Sequence, residues 1–258
     1  MKILIIRHGE PDYEHDSLTE RGWKEAALLA DRLEKMDIAA LYCSPLGRAK
    51  ATAAPYLEHT GRTAENKRWL REFAQVMIRR PDFPEGLRIS WDWLPQDWVQ
   101  HPLFFRYDQW YTDPIFAEAN AKKEYDEVAN ALDELLASHG YERNGLLYKP
   151  VRPNEDTIAL FCHFGVECVL LSHLLNISPV PLWHGTCALP SSVTTLATEE
   201  RREGIASFRM LAFGDTSHLY AGGMEPSFAA RFRETYGHQG QRKDDYYHEP
   251  ISAKEKKA

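Results

Sequence analysis

The chain has 258 residues, of which 43% are hydrophobic and 27% charged, with 15 Gly, 15 Pro and a formal charge of −7. That composition excludes collagen, a coiled coil and bulk disorder, and it can supply a sizeable buried core. The acidic balance argues against a general nucleic-acid binder, although a few focused arginines still allow an anionic ligand in a cleft.

In chain order, residues 2–6 form a short apolar, β-branched run that predicts a buried strand. Thr19 then precedes a helical pattern in which Trp23, Ala26, Ala27, Ala30, Leu33 and Met36 recur at three- and four-residue steps. Residues 39–43 predict a second strand. Ser44 as N-cap and Pro45 at the first helical position predict a second helix, which runs to His59 and stops before Gly61. Strand, helix, strand, helix implies parallel β/α units with right-handed crossovers.

Between 75 and 111 the regularity breaks at Pro81, Pro84, Pro95 and Pro102. Aromatic residues crowd in: Trp91, Trp93, Trp98, Phe104, Phe105, Trp110 and Tyr111. An inserted cap with a small aromatic core of its own is expected here, with Arg79 and Arg80 as solvated loop residues. One long helix is expected over 115–138, ending at Gly140. The β/α pattern returns with a strand over 157–163 and a helix over 165–175, and strands at 192–198 and 205–213 close the sheet. The expected architecture is one α/β domain over residues 1–238: a three-layer sandwich with a mostly parallel sheet, helices on both faces and a cap at about 75–150. Residues 239–258 read as a polar, flexible tail.

No run of 18 apolar residues is present, so no membrane span is expected. The apolar stretch Ile3, Leu4, Ile5 and Ile6 is too short for a secretory leader. Cys43, Cys162, Cys168 and Cys187 show no CxxC and no zinc-ligand spacing, which fits reduced thiols in a cytoplasmic protein.

Three strand-to-helix junctions carry cationic or imidazole side chains. They are Arg7-His8-Gly9 after the first strand, Arg48 in the first turn after the second, and His163 at the end of the later one. In a parallel sheet such junctions share the carboxyl edge, where doubly wound folds bind ligands. Two arginines and two histidines near helix N-termini suit an anion, and the planar fork of arginine suits phosphate above all. A cysteine-dependent phosphatase is excluded by spacing, because Cys43 and Arg48 have four residues between them where five are needed. There is no GxxxxGK[ST], GxGxxG, GxSxG or HExxH motif either.

The stretches LIIRHGE (4–10), LTERGWKEAALLADRL (18–33), LYCSPLGRAKATAAP (41–55), WLREF (69–73), IALFCHFGV (158–166) and GDTSHL (214–219) resemble the histidine phosphatase superfamily, in its phosphoglycerate mutase-like branch. The resemblance implies that His8 is a nucleophile that becomes a phosphohistidine. It further implies that Arg7, Arg48 and His163 hold the phosphoryl oxygens, and that Glu72 donates the proton to the departing oxygen. It implies no metal and no cofactor, since arginines supply the positive charge. The partner implied is a small phosphorylated molecule, with no nucleic acid or membrane, and a homodimer is left open. Phosphate-monoester hydrolysis is the first expectation. A mutase-like phosphotransfer and a catalytically weak, phosphate-binding regulatory protein are the alternatives. The chain departs from the family pattern at Phe164, which follows His163 where the family usually has glycine; here the glycine comes one place later. His218 reads as structural, with Asp215 or Thr216 as a helix cap, and strand alternation points Cys162 into the core.

Overall fold

The computed structural model describes residues 1–235, so the expected tail at 239–258 and the expected domain end at 238 lie outside the described residues. The main sheet is built from β1 (Lys2–Arg7), β2 (Ala40–Cys43), β3 (Glu65–Asn66), β4 (Tyr141–Asn144), β5 (Leu147–Pro150), β6 (Thr157–Cys162), β7 (Val193–Arg202) and β8 (Ile205–Asp215). Their spatial order is β3-β2-β6-β1-β7-β8-β5-β4. The β3, β2, β6 and β1 strands form a parallel core, and β7, β8, β5 and β4 extend it as antiparallel neighbours.

Both faces of the parallel core are covered, which is why its strands are nearly continuous apolar runs. Along β1, Ile3 and Ile5 enter one core cluster while Leu4 and Ile6 enter the other. Along β6, Ile158, Leu160 and Cys162 alternate in the same way with Ala159 and Phe161. Helices α1 (Glu20–Leu33) and α2 (Gly47–Thr60) cover the face of Leu4 and Ile6, burying Leu29, Leu33, Ala53 and Tyr56. Helices α3 (Ala121–Ser138) and α4 (Phe164–Leu175) cover the other face with Leu132, Leu136, Val166 and Leu170. Thr19 caps α1, accepting the N–H of Gly22 at 3.1 Å.

Three local expectations change. Helix α2 begins at Gly47, with Leu46 at the N-cap; Ser44 lies before it, its hydroxyl accepting the Leu46 N–H at 3.3 Å while it also meets His163 Nε2. The helix expected over 115–138 is two helices, Pro114–Glu118 and α3, separated at Asn120, which adopts left-handed geometry (φ +51°). Asparagine is one of the few non-glycine residues that visit this region readily. Arg80 is buried, not solvated. It lies on strand Met77–Arg80, which pairs with Phe83–Ile89, and it contacts Asp82 at 2.6 Å and Asp92 at 3.4 Å. Arg79, its neighbour on the other side of the strand, is exposed and donates to the Pro84 carbonyl.

The aromatic stretch has no core of its own. Trp93, Phe104, Trp110 and Phe116 belong to the same cluster as Ile3, Ile5 and the inner faces of α3 and α4. A short segment of turns and one hairpin cannot enclose that many rings, so they seat on the helical layer. Trp110 is fully buried, edge-on to Trp183 (5.8 Å, 90°) and to Tyr125 (5.5 Å). Replacing it by alanine is expected to lower the unfolding free energy by about 3–5 kcal/mol, with a smaller loss for Trp110→Phe, as read by denaturant unfolding.

Candidate functional site

The register of the parallel core sets the site. Arg7 pairs with Cys162 and Phe161 with Cys43, so β1, β6 and β2 stop at one level. The residues leaving those strands, His8, His163 and Ser44, are therefore neighbours. The rings of His8 and His163 lie 5.1 Å apart at 56°, and His163 Nε2 is 2.8 Å from Ser44 Oγ.

His8 is buried and its tautomer is fixed. Nδ1 lies 2.7 Å from the Gly9 carbonyl oxygen, which can only accept, so Nδ1 carries the proton and Nε2 keeps its lone pair. The backbone here is clamped from both sides. His8 N–H donates to Cys162 O, Ser191 N–H donates to His8 O (3.0 Å), and Arg7 N–H donates to Ser192 O (3.1 Å). Burial first, and then the Arg7 charge, hold the His8 imidazole well below its usual pKa. For His163 the causes are burial, then His8, Arg48 and Arg7. Both rings are neutral at neutral pH.

Arg7 donates to the Ala188 carbonyl, and its guanidinium lies 5.5 Å above the Phe164 ring. Arg48 sits in the first turn of α2. Its Nη1 donates to Asp16 Oδ1 at 2.7 Å, while Asp16 Oδ2 accepts the Gly47 N–H at 2.6 Å. Glu72 follows a single 3-10 turn, Arg68–Leu70. Its Oε1 accepts from Phe73 N–H (2.9 Å) and from Val166 N–H in the first turn of α4 (3.2 Å). Burial pushes the Glu72 carboxyl up. The Phe73 N–H, Arg7, Arg48 and the Val166 N–H oppose this without cancelling it. The fields of Arg7 and Arg48 thus reach His8, His163 and Glu72 alike.

The departure at Phe164 has a local rationale. Phe164 is the first residue of α4, buried with its ring beneath Arg7 and in edge contact with Trp91 (6.2 Å, 86°). The displaced Gly165 is needed where it stands. A Cβ there would lie 2.3 Å from the Trp91 ring and 2.6 Å from Glu72 Oε1.

Several neighbours escaped the sequence reading. Ser44 read as a cap, and Asp16 and Ser191 (φ +58°) carried no local signal. Glu167 did carry one, as a lone acid in the otherwise apolar run of α4. It is fully buried, and its Oε1 accepts from Thr194 Oγ1 at 2.5 Å. His218 is buried, with Nε2 3.2 Å from Ser191 Oγ and Nδ1 3.4 Å from Arg32. Asp215 accepts the Ser217 N–H at the start of the last short helix. Cys43, Cys162 and Cys168 are free and buried, and Cys187 is free and exposed. No helix among the described residues is long and apolar enough to cross a membrane.

A family model described as the histidine phosphatase superfamily (branch 1) matches residues 3–210. A Schizosaccharomyces pombe protein called a probable phosphatase is 40% identical over 233 residues, covering 85% of this chain and 95% of its own length. Among solved structures, an Entamoeba histolytica phosphoserine phosphatase in complex with phosphoserine superimposes with a TM-score of 0.53 at 17% identity. That match covers 84% of this chain and 98% of the other. YhfR of Bacillus stearothermophilus matches with a TM-score of 0.52 at 20% identity, over 84% and 98%. These two likenesses concern the fold.

Burial pushes the Glu167 carboxyl from 4.5 up to about 7. Folding therefore favours its protonated form. This group leaves stability unchanged below about pH 4.5, and erodes it as pH rises through the interval to about 7. Glu167→Gln, which keeps the acceptor for Thr194, is expected to gain on the parent by about 2–3 kcal/mol between acidic and mildly alkaline pH, measured by denaturation across that range.

Proposed function

The chain belongs to the histidine phosphatase superfamily, and on that premise we propose that it hydrolyses a phosphate monoester through a phosphohistidine formed on His8. The observation that carries this reading is the state of His8. It is a buried, neutral imidazole with Nδ1 pinned to the Gly9 carbonyl, so that Nε2 is an unprotonated nucleophile beside two arginines.

In the first step the Nε2 lone pair bonds to phosphorus and the bond from phosphorus to the leaving oxygen breaks. Glu72 passes its proton to that oxygen. Its burial favours the protonated form, and Oε1 is already committed to two backbone N–H groups, so Oε2 is read as the donor atom. Arg7, Arg48 and His163 neutralise the phosphoryl oxygens, where charge spreads in a loose transition state. In the second step water attacks phosphorus, the P–N bond breaks, and the Glu72 carboxylate takes the water's proton. Phosphate leaves and His8 is restored.

The arginines supply the positive charge, so the reaction is read as metal-independent. The substrate is a small metabolite bearing a phosphate monoester, the class to which phosphoserine in the Entamoeba histolytica complex belongs. The relative called a probable phosphatase favours hydrolysis over mutase-like transfer. The free cysteines favour a cytoplasmic setting.

His8→Ala is expected to abolish phosphate release from 4-nitrophenyl phosphate, and residual turnover at the parent rate would remove the nucleophile. Glu72→Gln should slow hydrolysis of an alkyl phosphate by roughly 10²–10⁴-fold and that of 4-nitrophenyl phosphate far less, because a good leaving group needs little protonation. Steady-state rates on both substrates measure the difference. A chelator should leave either rate unchanged, and loss of activity that added metal restores would favour a metallohydrolase.

A further inference from the structure

Trp91 lies just after the strand Phe83–Ile89, between two anchored residues. On one side Ser90 Oγ donates to the Val76 carbonyl at 2.8 Å. On the other, buried Asp92 lies 3.4 Å from Arg80 and 3.7 Å from Arg88. The half-buried indole between them is thereby held against the start of α4. There its ring edge meets Phe164, and its six-membered ring comes within 2.3 Å of where a Gly165 Cβ would stand. Glu72 Oε1 is 2.6 Å from the same point. With no Cβ in between, indole and carboxyl border each other across Gly165.

We infer that Trp91 is a positioning residue that walls Glu72 off from water and so keeps its carboxyl protonated until the leaving oxygen takes the proton. This rests on the reading of Glu72 as the acid. The charged and titratable groups around Glu72 define the sign. Arg7 at the end of β1 and Arg48 on α2 favour its ionised form, and Glu167 on α4 also couples to it. His8 and His163 are neutral. Arg71, next to Glu72 in the chain, is paired with Glu124 and Glu127 on α3. Burial outweighs the two arginines, so admitting water at the indole's position lets them prevail. The carboxyl then ionises at lower pH.

The test compares Trp91→Ala and Trp91→Phe with the parent, following the pH dependence of kcat/KM on glycerol 2-phosphate and on 4-nitrophenyl phosphate. The ¹³C carboxyl signal of Glu72, assigned with Glu72→Gln, gives its titration directly. In Trp91→Ala the alkaline limb for glycerol 2-phosphate and the Glu72 titration are expected to move together to lower pH by about one unit. Trp91→Phe should stay close to the parent, and the 4-nitrophenyl phosphate profile should keep its position. A Glu72 titration that stays put in Trp91→Ala, while Glu72→Gln still discriminates between the two leaving groups, overturns this inference alone. Equal loss on both substrates without any shift in pH also overturns it, since that is the mark of a merely structural ring. A Glu72→Gln variant that treats both leaving groups alike removes the acid reading, and this inference with it.

Discussion

The in-register parallel pairing of β1, β6 and β2 is the constraint on which the site depends. Hydrogen bonds between main chains, not contacts between functional side chains, bring the exits of these strands to one edge. Each exit then delivers one polar residue at a fixed spacing from the next. The antiparallel neighbour β7 completes the arrangement, since the residues leading into it tie down the backbone of both Arg7 and His8. The chemistry is grafted on a scaffold already held by its core, in which every side chain from Ile3 to Ile6 is buried.

Burial and positive charge then act on different groups in different directions. For an imidazole the two reinforce each other, since low dielectric and a nearby arginine both disfavour imidazolium. For a carboxyl they compete, and at Glu72 burial wins. One environment therefore shifts the two kinds of group apart, the imidazoles downward and the carboxyl upward. Phe164 belongs to this balance, because a ring beneath Arg7 orders the guanidinium without adding charge.

What was legible in the sequence follows from how local its cause is. The apolar runs of β1 and β6 and the periodic face of α1 announce themselves because both arise from burial on fixed faces. Arg7, His8, Arg48 and His163 could be placed because each sits at or just beyond the end of a strand of the parallel core. Ser44 reads as the N-cap because a serine before proline suits that place, whereas its contact with the distant His163 leaves no local trace. Asp16 and Ser191 act across chain separations that leave no periodic trace. The break at Asn120 and the inward turn of Arg80 likewise reflect tertiary packing that overrides local pattern. The aromatic insertion was visible as a segment, but its sharing of the central core was not, because composition cannot say which surface a ring will choose.

Asp16 gives Arg48 an unusual starting condition. One edge of the guanidinium is docked on a carboxylate that also ties off the first N–H of α2. A long, flexible side chain is thereby frozen during folding, so a ligand bound there as proposed would not bear its rotamer entropy. In the proposed reaction, an incoming dianion would meet a fork with its direction already chosen. On that proposal, discrimination among candidate molecules falls to whatever hangs beyond their common phosphoryl group.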